Sequence, residues 1–250
     1  MAGTSVGFVG TVGGAGTTQS ILEIGGVLAR GGDRVLVFDL DFATQGLAQH
    51  VEGAVGVDST GLVADSDREL EAAIREWDMD GSGRLELVPS RAPFVDIAAA
   101  KSAAAGERVG ARLAEAAERA DWVLVDVPPV VSNQAIGAVT SVDQVVAVLP
   151  PSDRGVDALQ RERGRIADVG GSFDAVLTVG PGEPPPDATA HIPERPSGAP
   201  SHRPATLAPG GAFARAVSQA TTALLGVSVE MAEPSGPLDR LGELGDRLGV

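Results

Sequence analysis

The stretch "TVGGAGTTQS", residues 11–20, decides how the rest of the chain is read. An apolar run, "SVGFVG", precedes it and an amphipathic stretch rich in Leu, Ile and Ala follows it. Strand, glycine-rich turn and helix in that order form a phosphate site, because backbone N–H groups at the turn and at the helix N-terminus bind an anion without side-chain charge. Such loops normally set a lysine beside the phosphates, and this one contains none.

Two general patterns compete for the loop. A dinucleotide-binding turn reads G-x-G-x-x-G; here Gly14-Ala15-Gly16 is followed by Gln19 where the third glycine belongs, although Asp39 lies about where a ribose-binding acid would. A mononucleotide P-loop reads G-x-x-x-x-G-K-[ST]; Gly16 and Thr18 supply the glycine and the hydroxyl, and Thr17 stands in the lysine's place.

Outward from the loop, short apolar runs alternate with amphipathic, Ala-rich stretches, which is the pattern of a parallel sheet with crossover helices. Strands are expected at Ser5–Gly10, Arg34–Asp39, Leu85–Val88, Trp122–Asp126, Gln144–Leu149 and Phe173–Val179. Helices are expected at Thr18–Arg30, Ser66–Trp77, Glu107–Arg119, Gly155–Asp168 and Ala212–Leu225. The runs "VLVF", "WVLV" and "VVAVL" are apolar throughout, as strands covered on both faces are. The fold class is α/β, a doubly wound, mostly parallel sheet with helices on both faces. One domain is expected over residues 1–228, with a Pro-rich surface loop at 180–204 and a tail at 229–250.

Hydrophobic residues make up 43% of the chain but aromatics only 3%, so Val, Leu, Ile and Ala must build the core. Cysteine is absent, which excludes disulfides and thiolate metal sites. The chain carries 34 Asp and Glu against 19 Lys and Arg, a balance that disfavours nonspecific nucleic-acid binding. Lys101 is the only lysine, and an acidic, lysine-poor surface of this kind suits a protein kept soluble in molar salt. No basic segment precedes the first apolar run and no apolar stretch approaches membrane-spanning length, so a cytoplasmic location is expected.

A third loop pattern fits better than the first two. Val12-Gly13-Gly14-Ala15-Gly16-Thr17-Thr18-Gln19 resembles the deviant P-loop of the ParA/MinD family, K-G-G-x-G-K-T-[TS]. "RVLVFDLDFATQGLA" resembles that family's second-strand motif, with Asp39 and Asp41 in D-x-D spacing. "DWVLVDVPP" resembles its Walker B strand and sets Asp126 before Pro128 and Pro129; "ELVPS" and "VVAVLPPSDRGVDAL" resemble further strands of the family. These motifs extend the resemblance to about Leu225. It implies nucleotide contacts from Gly13, Gly14, Ala15, Gly16, Thr17, Thr18 and Gln19. It implies magnesium held, directly or through water, by Thr18, Asp39 and Asp126, and an attacking water positioned by Asp41. From the residues alone, Thr18 could equally be a helix cap and Asp41 or Asp126 a solvated or capping acid.

The departures matter as much. The family's signature lysine, which reaches a partner subunit's phosphates, is Val12 here, and its P-loop lysine is Thr17. Its base-recognising Asn belongs near Thr178, where there is none. Losing one charge beside a polyphosphate removes about 4 kcal/mol at an effective dielectric near 20, and two losses argue against fast hydrolysis. The expected function is therefore a degenerate ParA/MinD-like regulator or scaffold in intracellular positioning, with ATP or ADP and Mg binding weak or lost. It would act as a homodimer or as a heterodimer with an intact relative, without direct nucleic-acid contact. An active Mg-ATP-dependent dimer switch and a dinucleotide-binding oxidoreductase are the alternatives.

Other signals are set aside. "DMDGSGRLELVP", residues 78–89, imitates a calcium loop but ends on Pro89 where a bidentate Glu is required, and its "LELV" serves better as a strand. His50, His191 and His202 share no metal-ligand spacing. In the tail, Leu238, Leu241, Leu244 and Leu248 fall on one helical face, which suits docking on a protein better than on a membrane because Asp239, Glu243 and Asp246 outnumber Arg240 and Arg247.

Overall fold

A computed structural model describes residues 2–79, 81–197, 203–207 and 211–228. The expected amphipathic helix of the tail and His202 lie outside the described residues. The strands are β1 (Thr4–Gly10), β2 (Arg34–Asp39), β3 (Arg75–Trp77), β4 (Arg84–Val88), β5 (Trp122–Val127), β6 (Gln144–Leu149), β7 (Ala175–Val179) and β8 (Ala190–Ile192). They form one sheet in the order β3-β4-β2-β5-β1-β6-β7-β8, with β1 near its centre. Every pairing is parallel except β3 with β4. The strand interiors are Val, Leu and Phe buried on both sides, as their unbroken apolar sequence requires.

The helices are α1 (Thr17–Arg30), α2 (Ser59–Ala64), α3 (Leu70–Ala73), α4 (Phe94–Ala100), α5 (Ala103–Ala117), α6 (Asn133–Val139), α7 (Asp153–Asp168) and α8 (Ala212–Leu225). One core layer joins Phe38, Leu62, Val123, Val125 and the inward faces of α5 and α6. The other joins Phe8, Ile21, Leu28, Leu124 and Val217, the layer of α1 and α8. Helix α1 is buried from Ser20 to Ala29 because the sheet covers one side and α8 with a 3-10 turn at Ala205–Leu207 covers the other.

The helix expected over Ser66–Trp77 is not formed; a single turn, α3, gives way to the edge strand β3. The buried guanidinium of Arg112 takes hydrogen bonds to the carbonyls of Asp65, Ser66 and Arg68, which occupies backbone acceptors a helix would use. Ile74 and Trp77, β-formers at the end of that stretch, continue into the strand. "LELV" is in β4, as expected. Among the described residues of the Pro-rich stretch the chain adds one strand, β8, at the sheet edge where proline neighbours are tolerated.

Candidate functional site

The C-terminal ends of β1, β2 and β5 meet where the sheet changes winding direction, the place such folds put ligands. Register brings the acids together: Asp39 of β2 is the direct partner of Asp126 on β5. The loop Thr11–Gly16 leaves β1 and turns into α1 at Gly16, whose φ of 83° is left-handed. An alanine there would be strained, and its Cβ would meet Val179 Cγ1 at 3.0 Å. No side chain caps α1, so its first N–H groups are open to an anion.

A cavity of about 340 Å³ lies over this loop, walled by Val12–Gln19, Asp41, Asp126 and Pro128–Pro129. Thr18 Oγ1 donates to Asp126 Oδ2 at 2.5 Å. Asp39, fully buried, accepts from the N–H groups of Asp41 at 2.9 Å and Leu47 at 3.4 Å. Burial, followed by the Asp126 and Asp41 charges, raises the Asp39 carboxyl well above the usual carboxylate range. Burial also pushes Asp126 up to about 7, against the lowering effect of the Thr18 hydroxyl. Two buried carboxylates and a threonine hydroxyl at an anion loop are hard oxygen donors of the kind a small divalent cation completes with phosphate oxygens and water. Among the described residues no set of three or more His, Cys, Asp or Glu forms a self-sufficient metal cage. Asp41 is partly exposed and tied into its own turn, accepting from Thr44 Oγ1 at 2.7 Å and from the Ala43 and Thr44 N–H groups.

Thus the loop, Thr18, Asp39, Asp41 and Asp126 converge, with Asp39 beneath the cavity rather than in its wall. That position puts Asp39 out of reach of a ribose hydroxyl, against the dinucleotide reading. Sequence reasoning missed the 3-10 turn Gly46–His50, which brings Gly46, Gln49 and His50 to the same cavity. Gly46 is the signal that could have found it: a Cβ there would meet Thr18 Oγ1 at 2.8 Å, so the turn must close on the loop through a glycine. On the other flank of the loop, a cavity of about 350 Å³ is walled by Pro150, Val179, Pro181, Ile192, Pro193 and Phe213. Thr178 contributes nothing to it, being buried in β7 with its hydroxyl against Ala190 O and His191 Nδ1.

A family model described as an AAA domain matches residues 4–174. The chain belongs to this AAA-domain family. The ParA/MinD resemblance of its motifs and the doubly wound fold are both borne out. The structure is similar to the septum site-determining protein MinD of Pyrococcus horikoshii, complexed with Mg-ADP, at a TM-score of 0.69 and 20% identity over 88% of this chain and 94% of that one. It is similar to a chain of the MinC:MinD cell division protein complex of Aquifex aeolicus, at 0.70 and 18% over 92% and 99%. A third likeness is to a putative plasmid partition protein of Borrelia burgdorferi bound to AMPPNP, at 0.69 and 12% over 90% and 99%. A comparison with curated protein sequences finds no match. Among the described residues of this AAA-domain chain, no helix is long and apolar enough to cross a membrane.

Proposed function

We propose that the chain is a nucleotide-binding regulator or scaffold of the positioning type, one that holds a nucleoside polyphosphate but hydrolyses it weakly or not at all. One observation carries the reading. The cavity over the phosphate loop keeps the loop, the Thr18–Asp126 contact and Asp41, yet among the described residues no lysine or arginine lines it. Backbone N–H groups suffice to bind phosphate oxygens. Charge that develops as a phosphoryl group is transferred needs cations, and their removal lowers the rate far more than the affinity.

In this reading Gly13–Gln19 cradle the phosphates, and the apolar cavity beyond Gly16 takes the base between Pro150, Val179 and Pro193. Thr18, Asp126 and Asp39 would hold Mg, which supplies charge neutralisation to the phosphates when bound. Asp41 stands where a water would be oriented. The relatives' association with Mg-ADP, AMPPNP and MinC supports a nucleotide-dependent role in partner binding, as a homodimer or with an intact relative. Calorimetric titration with Mg-ATP and Mg-ADP, beside a phosphate-release assay, tests the reading: binding without appreciable turnover is expected, and absence of binding overturns it.

A further inference from the structure

Among the described residues that line the phosphate cavity, His50 is the one that can carry positive charge. It ends the 3-10 turn that closes over Thr18, is half-buried as a residue, and lines two spaces. One is the phosphate cavity; the other is a cavity of about 420 Å³ on the side of β3. The Trp77 ring lies 6.2 Å from the imidazole, tilted by 51°, within the range where aromatic rings attract.

The charged side chains lining these two spaces are mostly acidic. Asp41 and Asp126 line the phosphate cavity with it, and Glu52, Glu76 and Asp78 line the other with it, against Arg75 and Arg203. A carboxylate excess around an imidazole stabilises its charged form, and histidine's ordinary titration near pH 6.5 puts that change inside the physiological range.

We propose that protonated His50 is the cation of this phosphate site, making the phosphate-oxygen contact that Val12 and Thr17 leave unmade, so that nucleotide binds more tightly as pH falls. The inference rests on the nucleotide-binding reading above and adds to it a proton-controlled affinity.

The test is ATP titration, with EDTA present to remove divalent ions, on the full chain and on His50→Gln and His50→Arg. The wild-type chain is expected to bind roughly tenfold more tightly than His50→Gln near pH 5.5 and equally near pH 8.5, with His50→Arg tight at both. Titration of Asp126 is common to all three proteins and cancels in the ratio. A second readout is taken in a Trp122→Phe background: an imidazolium quenches a nearby indole, so Trp77 emission reports the protonation of His50. Saturation with ATP should raise the midpoint of that titration by about one pH unit. Equal affinity of wild type and His50→Gln near pH 5.5, or a midpoint unmoved by ATP, overturns the role of His50 while nucleotide binding stands. A wild-type chain that binds no ATP at either pH overturns both.

Discussion

Thr18 Oγ1 and Asp126 Oδ2 stand 2.5 Å apart, latching the first turn of α1 to the end of β5 across the mouth of the phosphate loop. The hydroxyl is the donor that steadies the Asp126 carboxylate against burial, and its removal leaves the acid without that partner. Thr18→Val should therefore cost about 1–3 kcal/mol in urea unfolding, the penalty of an unsatisfied buried acceptor. It should also raise the Asp126 titration above its present value of about 7. A variant as stable as the wild type would show that the contact does not hold the loop.

The same acid sets a pH dependence. Its ordinary pKa is 3.8 and the folded value is about 7, so the folded chain holds the proton more tightly than the unfolded chain between those limits. Stability from this group is full below the lower value and is lost as pH rises through the upper one. The loss is on the order of 4 kcal/mol at most, and Asp39, raised in the same direction, adds to it. The melting midpoint without metal should fall between about pH 4 and 7 relative to Asp126→Asn. Parallel curves for the two proteins would contradict the assignment.

A second buried acid ties the phosphate loop to the Pro-rich stretch. Glu23, fully buried on α1, accepts from Arg195 Nε at 3.0 Å, Gln19 Nε2 at 2.9 Å, and the N–H groups of Ala205 and Thr206 at 3.0 and 2.9 Å. Glu23→Ala leaves a guanidinium and two backbone donors short of their acceptor, with an expected cost of about 3–5 kcal/mol. Asp121→Ala, which opens an exposed pair with Arg34, is the baseline. A Glu23→Ala loss no larger than that baseline, measured by urea unfolding, would remove Glu23 as the anchor of Arg195, Ala205 and Thr206.

The net charge of −15 makes the compact state repel itself when unscreened. Raising salt from 0.01 to 1 M shortens the screening length from about 30 to 3 Å, and the melting midpoint should climb across that range. A flat midpoint would contradict a surface adapted to high salt.

Much of this was legible in the sequence, for physical reasons that differ by element. The unbroken apolar runs of β2, β5 and β6 mark strands covered on both faces, and Asp39 and Asp126 were findable because each closes such a run. The Ala-rich "LEAAIREW" misled, since helix propensity cannot register that Arg112, some forty residues on, takes the carbonyls before it. His50 was invisible as a site residue because residues 41–58 follow no period; only the closed turn over Thr18 carries it to the cavity. Glu23 and Arg195 lie 172 residues apart with nothing local to link them.

If this loop binds phosphate without the lysines that drive its transfer, the shortfall must show in steady-state phosphate release. The wild-type chain and the Val12→Lys, Thr17→Lys double variant are compared with Mg-ATP at equal site occupancy. One restored charge is worth about 4 kcal/mol at an effective dielectric near 20, or roughly a thousandfold in rate when it acts in the transition state. Wild-type turnover is expected to lie at least roughly a thousandfold below that of the double variant. Wild-type turnover equal to that of the double variant, and abolished by Asp41→Ala, would contradict it.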